Sequence, residues 1–232
     1  MRGRRLEPEL LDELPAADPE AKGSRRDLKL LNRIMGHAGI LSKIWSECDA
    51  EQWCGRIVDL GGGDATFLLE VARRVHRTSK VRSALLVDRQ PIVSAVTLEA
   101  FAALGWELQV VSSDVFHWLA EAPPIPNTFT IANLFLHHFE REGVEHLLRL
   151  VVEQCRAFAA CEPRRSSLSL TAAKLLGVIG CNRVTRHDAR ISVLAGFRGH
   201  ELQEIWKAPG DWRLTECEVG LFSHLLWGRR GS

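Results

Sequence analysis

Residues Arg56 to Glu70 read RIVDLGGGDATFLLE, and this stretch decides the fold. The short apolar run Ile57 to Leu60 is typical of a buried strand, whereas Phe67 to Ala72 repeats apolar residues at helical spacing. Three glycines separate the two runs, and glycine allows positive φ angles and a close approach of a ligand to the backbone. A helix that starts after such a turn offers unpaired N–H groups. The stretch therefore predicts a strand, a tight turn and a helix, with a flat polar ligand lying across the turn.

The spacing of the glycines separates two ligand classes. The dinucleotide fingerprint is G-x-G-x-x-G, and here Gly61 and Gly63 match its first two positions while Thr66 occupies the third. The stretch instead resembles motif I of the class I S-adenosylmethionine (SAM) methyltransferases, which reads acid-x-Gly-x-Gly-x-Gly. Asp59, Gly61 and Gly63 match that motif, and Ala65 replaces its last glycine. A turn of a parallel sheet that binds no ligand is the alternative interpretation.

Three more apolar segments end in polar residues in the order that this family shows. Ala84 to Asp88 ends in a carboxylate, which can accept both hydrogen bonds of a ribose diol. Leu108 to Val115 contains Ser113 and Asp114, and the resemblance implies that this acid and its neighbour's amide read the adenine edge. Phe129 to Phe139 resembles motif IV, a fourth strand that opens into the active site.

The resemblance extends from Ile57 to Arg229. Ala157 to Arg164 resembles the fifth strand and acid-Pro exit of the ubiquinone/menaquinone-type, small-molecule branch. Trp212 to Cys217 and Leu221 to Trp227 resemble the last two strands, which form a hairpin. The fold implied is α/β and Rossmann-like, with a seven-stranded, mostly parallel sheet, an antiparallel last strand, helices on both faces and an N-terminal helical cap. The alternation of strands with helical stretches independently predicts a covered, mostly parallel sheet.

The same resemblance implies that SAM binds at the ends of these strands and leaves as S-adenosyl-L-homocysteine (SAH). The predicted cofactor-binding residues are Asp59, Gly61, Gly62, Gly63, Asp88, Arg89, Ser113, Asp114, Val115, Asn133 and Leu134.

The predicted organisation is one methyltransferase domain over residues 28–232, after an irregular N-terminal tail over residues 1–27. Ser24 to Asp27 reads as a capping box that starts the cap, and Gly36 and Gly39 are expected to break it into two helices. The predicted parts of the domain are a helical cap (28–55), a SAM-binding core (56–165), an acceptor-side insertion (166–210) and a C-terminal hairpin (211–230).

Composition excludes several classes of protein. A net charge of +1 over 232 residues argues against a protein built around nucleic-acid binding. No run approaches ~20 apolar residues, so no membrane span is predicted, and no signal peptide is visible. We expect a cytoplasmic protein whose partner is a small-molecule acceptor, with its oligomeric state left open. No C-x-x-C pair occurs among the cysteines, so neither a metal site nor a disulfide framework is predicted. The cysteines are Cys48, Cys54, Cys155, Cys161, Cys181 and Cys217.

Two segments are predicted to form the acceptor site. The cap resembles the helices that many small-molecule methyltransferases place over the acceptor, which makes Met35 and His37 candidate substrate-binding residues. The insertion carries a dense polar run from Arg183 to Ala189, in which Arg186 and Asp188 are candidates. Both segments also have a structural interpretation: the cap helix covers the sheet edge, and Asp188 belongs to a helix cap.

The chemistry of methyl transfer suggests which residues act in catalysis. Transfer from a sulfonium is an in-line displacement that depends on positioning and desolvation. An oxygen acceptor also loses a proton, and histidine suits that task near neutral pH. His138 and His187 are the predicted bases, whereas the neighbouring His137 is expected to point elsewhere. A histidine that only packs or caps is the alternative for each.

The predicted acceptor is a small, fairly apolar hydroxylated molecule such as a phenol or quinol of secondary metabolism, methylated on oxygen. Carbon methylation of a similar ring remains open, as does a SAM-binding partner protein without activity. Adenine N-methyltransferases carry Pro-Pro and an aromatic residue after the acid or Asn, but here Leu134 to Leu136 follow Asn133. The Asp-Asn ligand pair of metal-dependent catechol methyltransferases is also absent from the sequence.

Overall fold

The computed structural model of the protein describes residues 3–47, 55–123, 125 and 127–231. Cys48, Cys54 and the predicted end of the cap lie outside the described residues. The strands are β1 (Arg56–Leu60), β2 (Ser83–Asp88), β3 (Glu107–Ser112), β4 (Thr128–Asn133), β5 (Ala157–Pro163), β6 (Trp212–Val219) and β7 (Ser223–Arg230). They form one seven-stranded sheet in the order β3-β2-β1-β4-β5-β7-β6.

The predicted topology of this sheet is confirmed. Strands β1 to β5 pair in parallel, with Val58 opposite both Leu85 and Thr130. Strand β7 lies antiparallel between β5 and β6. The strand order reverses between β1 and β4, and ligands of open α/β sheets bind outside the carboxyl ends of the strands at such a reversal.

Helices cover both faces of the sheet, as predicted. One core contains Leu41, Trp45 and Leu68, and the other contains Val144 and Trp206. The helices are α1 (Leu10–Glu13), α2 (Pro19–Met35), α3 (His37–Glu47), α4 (Thr66–Val75), α5 (Ala95–Ala103), α6 (Val115–Glu121), α7 (Arg141–Gln154), α8 (Ser167–Leu175), α9 (Arg183–Ala195) and α10 (Glu201–Ile205), with a short 3₁₀ turn at Leu136–His138. Within the described ranges, no helix is long and apolar enough to cross a membrane.

The start of the cap differs from the prediction. Helix α2 already begins at Pro19, and the side chain of Asp18 caps it by accepting hydrogen bonds from two backbone N–H groups. Proline at the first helical position after an aspartate N-cap is a strong start signal. The irregular tail to residue 27 is therefore wrong, and Ser24 is a buried helical residue rather than a cap. The cap breaks at Gly36, which has a φ of 72°, whereas Gly39 lies inside α3.

The residues before α2 pack against the domain. We call Arg4–Leu14 the N-terminal strap. The guanidinium of Arg4 donates to the carbonyl of Ala195 at 2.7 Å and to that of Phe139 at 2.9 Å. It also lies over the ring of Phe197, 4.2 Å from the ring centre. The strap is thus anchored at its first residue and crosses the carboxyl-end side of the sheet.

Candidate active site

A cavity of about 1100 Å³ lies at the carboxyl ends of β1, β2 and β4. Its wall combines these strand ends with residues of the strap, α2, α8 and α9. Every predicted cofactor-binding residue except Ser113 lines it. The cofactor-binding residues predicted at four separate strand ends therefore meet in one cavity.

The glycine turn leaves room that only glycine can leave. Gly61 has a φ of 73°, and a Cβ placed on it would lie 2.2 Å from the ring of Phe135. A Cβ on Gly62 would lie 2.2 Å from a carboxylate oxygen of Asp59. Ala65, which stands where the motif has glycine, adopts a left-handed φ of 58° at the start of α4. Alanine here thus adopts a left-handed conformation that glycine takes more readily.

Asp59 is a buried acid without a partner. It is fully buried, and neither carboxylate oxygen has a hydrogen bond within the described part of the chain. Burial, followed by the charges of Asp88 and Asp64, raises its pKa well above the usual range of a carboxyl group. A buried polar group with no partner is costly, and such groups occur at ligand sites. The ammonium group of a ligand is the type of partner that this carboxylate lacks.

Asp88 is held in place by the backbone around it. One of its carboxylate oxygens accepts from the N–H of Gly63 at 2.9 Å, and the other accepts from the N–H of Gln90 at 2.7 Å. A carboxylate oxygen can accept a second hydrogen bond. The acid is thus oriented at the cavity wall and retains acceptor capacity for a diol. The neighbouring Arg89 also lines the wall.

The third strand ends earlier than predicted. Strand β3 stops at Ser112, and Val115 is the first residue of α6. Asp114 caps this helix, because one of its oxygens accepts from the N–H of Phe116 at 2.9 Å. Ser113 lies behind the wall and donates its N–H to the carbonyl of Asp88 at 3.0 Å. The cavity therefore meets Asp114 and the N-terminal end of α6.

His37 joins the cap to the sheet. Its Nδ1 lies 2.6 Å from the side-chain oxygen of Asn133, and its Nε2 lies 2.7 Å from the hydroxyl of Ser223. The amide of Asn133 also donates to Asn32 on α2 at 3.0 Å. His37 is fully buried and does not line the cavity, and burial lowers its pKa. Its place is therefore that of an internal bridge, whereas Met35, the other predicted cap residue, lies on the wall.

His137 is a buried cation at the end of the cavity that the strap covers. Its Nδ1 lies 2.7 Å from Glu162, and its Nε2 lies 3.4 Å from Glu9 of the strap. Burial alone would lower its pKa, but these two carboxylates outweigh burial and raise the pKa to about 9. Glu162 also accepts from the N–H of Leu136 at 2.8 Å. An imidazolium at neutral pH, with both N–H groups facing carboxylates, is held in one orientation.

His138 has the opposite character. It lines the cavity, and 28% of its side-chain surface is exposed. Burial, followed by the positive charge of His137, lowers its pKa. The two rings are 4.3 Å apart between centroids, and Asp12 of the strap lies 3.9 Å from Nδ1 of His138. A neutral imidazole that faces a cavity can accept a proton from a bound hydroxyl.

The polar side chains of the insertion's polar run do not line the cavity. Asp188 accepts from the N–H groups of Leu10 at 2.9 Å and Leu11 at 3.0 Å, so it caps the short helix of the strap. His187 pairs with Asp188 at 2.9 Å, and Arg186 bonds back to the backbone of its own helix. These three residues do not line the cavity, so their positions favour the structural interpretation.

Two acids of the site could not be recognised from local sequence. Glu9 lies in a strap that the sequence predicts to be irregular, and its hydroxyl partner Ser192 lies on α9. In the sequence, Glu162 stands out only as the acid before Pro163, and no role in the site is assigned to it. Burial alone would raise the pKa of Glu9, but the hydrogen bond and charge of His137 lower it to about 2. The end of the cavity that the strap covers thus holds two ionised carboxylates, Glu9 and Glu162, around the imidazolium of His137.

A metal ion has one conceivable set of ligands among the described residues. Glu9, His137 and His138 each offer an atom within 4.8 Å of the others. However, metal binding requires neutral imidazole, and His137 is protonated at neutral pH and bonded at both nitrogens. We therefore treat the three residues as a proton-bearing network.

Comparisons with known proteins identify the fold. No family model matches the sequence, and no curated protein matches it. Among solved structures, the SAM-dependent methyltransferase SibL in its apo form has a TM-score of 0.59 at 17% identity, over 98% of this chain and 64% of that one. The mitomycin 7-O-methyltransferase MmcR has a TM-score of 0.55 at 18% identity, over 95% and 60%. Magnesium protoporphyrin IX methyltransferase (ChlM) from Synechocystis PCC 6803, with bound SAH, has a TM-score of 0.57 at 11% identity, over 95% and 91%.

The chain spans less than two thirds of the lengths of SibL and MmcR. At identities of 11% to 18%, the likeness is one of architecture. It agrees with the sheet order, the glycine turn and the cavity at the strand ends described above. The chain has the Rossmann-like fold of the SAM-dependent methyltransferases.

Proposed function

We propose that the protein is a SAM-dependent methyltransferase that methylates a small, fairly apolar acceptor on a hydroxyl group. The observation that carries this proposal is Asp59, a fully buried acid beside the glycine turn of a methyltransferase fold, whose carboxyl oxygens have no hydrogen-bond partner in the described part of the chain. SAM supplies an electrophilic methyl group when it is bound. Its ammonium group provides the positive charge that Asp59 lacks.

The other strand ends suit the rest of the cofactor. Asp88, oriented by two backbone N–H groups, would accept the ribose hydroxyls. Asp114 and Val115 at the start of α6 would face the adenine. Asn133 and Leu134, at the end of β4, also line the cavity and would contact the cofactor. These assignments use the residues that the sequence predicted.

The acceptor would react at the end of the cavity that holds the two histidines. His138 is the proposed base, because its lowered pKa keeps it neutral at pH 7 and its side chain faces the cavity. His137 is a positioning residue, because both of its nitrogens already have carboxylate partners. Its positive charge also favours an acceptor oxygen that becomes negative as its proton leaves.

Carbon methylation of a similar ring is the second candidate, since the same base can serve it. A protein that binds SAM without transfer is the third. The similarity to a mitomycin 7-O-methyltransferase favours oxygen. Carbon-13 NMR of the product formed from a panel of phenols and SAM labelled in its methyl group separates the three: a methyl ether, a methyl group on ring carbon or no product.

Replacing Asp88 by alanine is expected to weaken SAM binding. The change removes a charge-assisted acceptor worth ~1.5–3 kcal/mol, or roughly ten- to a hundred-fold in Kd. Isothermal calorimetry measures the loss directly. Glu99→Ala is the matched control, because Glu99 is an exposed acid on α5 that does not line the cavity. Equal SAM affinity in both variants would remove Asp88 from the site, and tight NAD binding without SAM binding would indicate an oxidoreductase.

Removing metal ions is expected to leave methyl transfer unchanged. The only candidate ligand set in the described ranges includes His137, whose pKa of about 9 keeps it protonated. The measurement is the transfer rate before and after treatment with excess EDTA and gel filtration. A rate that falls and is restored by Zn²⁺ would show that the histidines serve a metal.

A further inference from the structure

The cavity is larger than a cofactor site and has two different ends. Its volume of about 1100 Å³ exceeds the ~300–1,000 Å³ of a typical small-molecule pocket. The acceptor-side end is ionic, with Glu9, Asp12, His137 and His138. An acceptor that reacts there fills only part of the space beside the cofactor.

A separate part of the wall is apolar. Helix α9 packs against both α2 and α8, so these two helices flank the acceptor side of the cavity. From them, the cavity receives apolar side chains that are buried or only partly exposed. They are Leu28, Leu31 and Met35 on α2 and Ala172, Leu176 and Ala173 on or directly after α8.

This apolar wall continues to the protein surface. Ile34 on α2 lines the cavity and is 59% exposed. Leu175 at the end of α8 and Ile179 in the following turn also line it and are 56% and 55% exposed. Single exposed apolar residues are ordinary, but these three belong to the wall of one cavity. The cavity therefore has an apolar mouth, which we define as Ile34, Leu175 and Ile179.

We propose that the acceptor is amphiphilic: a hydroxylated ring at the ionic end and an apolar chain that runs along α2 and α8 and leaves through the apolar mouth. The inference rests on the proposed function and adds the acceptor class to it. An apolar chain of the acceptor is the occupant that matches both the apolar wall inside the cavity and the apolar mouth, since one apolar surface lines the interior and continues outside. A membrane or a second protein copy would touch only the outer rim.

The test measures binding of phenol, 4-butylphenol and 4-octylphenol to the protein saturated with SAH, by calorimetry without methyl transfer. Each methylene that reaches the apolar wall is expected to raise affinity about four-fold. In the variants Leu175→Asp and Ile179→Asp, affinity for 4-octylphenol should fall at least about ten-fold, since several methylenes lose apolar contact. Affinity for phenol should not change. Both residues are more than half exposed, so the variants should fold as the parent does.

Leu221→Asp is the matched control. Leu221 is 61% exposed but lies in the β6–β7 turn and does not line the cavity, so this variant should bind all three phenols as the parent does. Affinity independent of chain length would overturn the proposal. Unchanged binding of 4-octylphenol in both mouth variants would also overturn the proposal. This includes the case in which those variants lose dimerisation or vesicle binding instead.

The proposed function fails in a different way. If the parent protein binds neither SAM nor SAH, the methyltransferase assignment is wrong. The dependence on chain length is then measured without SAH. It still decides whether the cavity takes an apolar chain.

Discussion

Replacement of His138 by alanine is expected to lower kcat about 10²–10⁴-fold, the usual contribution of a general base. The imidazole lines the cavity and is kept neutral by burial and by the adjacent imidazolium of His137. SAM affinity should stay within about two-fold, because His138 lies at the acceptor-side end rather than among the residues proposed to hold the cofactor. The measurements are single-turnover rates with saturating acceptor and calorimetry with SAM.

His187→Ala provides the contrast. His187 was predicted from sequence as an equal candidate, but it pairs with Asp188 outside the cavity. The His187→Ala variant should therefore retain most of the parent kcat.

The rate of the parent protein should rise with pH through a pKa below 6.5, because burial and the charge of His137 lower the pKa of His138. A parent-like kcat in His138→Ala would leave catalysis to positioning alone or to an acceptor that is already ionised.

Glu162→Gln is expected to destabilise the protein by ~3–5 kcal/mol, the cost of breaking a buried ion pair. Glu162 is fully buried, bonds Nδ1 of His137 and accepts backbone N–H groups at the end of β4. Burial alone would raise its pKa, but His137 lowers it. Glutamine preserves the shape and removes the charge, so the imidazolium loses its nearest counter-ion. Urea unfolding followed by circular dichroism measures the change.

The pH dependence of unfolding distinguishes this ion pair from mere packing. The pKa of His137 is about 9 in the folded protein and ~6.5 in an unfolded chain. Because this pKa is raised on folding, protonated His137 contributes its full stabilisation of the fold below pH ~6.5. That contribution is lost as the pH rises through about 9. The parent should therefore lose stability over that window, whereas Glu162→Gln should lose much less. Glu145→Gln, which removes an exposed pair with Lys207, should show the same pH profile as the parent, because an exposed pair is screened by solvent. Identical pH profiles in all three would show that His137 is neutral.

The sheet was predictable because its signals are local. Strand β1 is a short apolar run followed by a glycine, and β2 is a short apolar run that ends in an acid, so their ends could be read from sequence within one residue. The run from Phe129 to Phe139, by contrast, extends six residues past the end of β4. The start of α2 was missed, since the charged residues around Asp18 and Pro19 conceal an ordinary N-cap. The convergence of Asp59, Asp88 and Asp114 on one cavity was also predictable, because the carboxyl ends of parallel strands lie at one edge of the sheet.

The division of roles between the histidines was not predictable, because it depends on distant partners. His137 becomes a cation through Glu162, 25 residues away, and Glu9, 128 residues away. Neighbouring histidines look equivalent in sequence until these contacts are known. Asp188 was equally ambiguous, since its partners are the N–H groups of Leu10 and Leu11 at the other end of the chain.

The construction of the cavity has a consequence for how such a protein can diversify. The half of the cavity proposed to hold the cofactor rests on strand ends in the middle of the chain. The half proposed to hold the acceptor comes from the strap, α2, α8 and α9. Substitutions in Leu11, Leu28 or Leu176 reshape the acceptor half without touching the glycine turn. A new acceptor preference can thus evolve through changes in these outer segments, while the cofactor half is inherited intact.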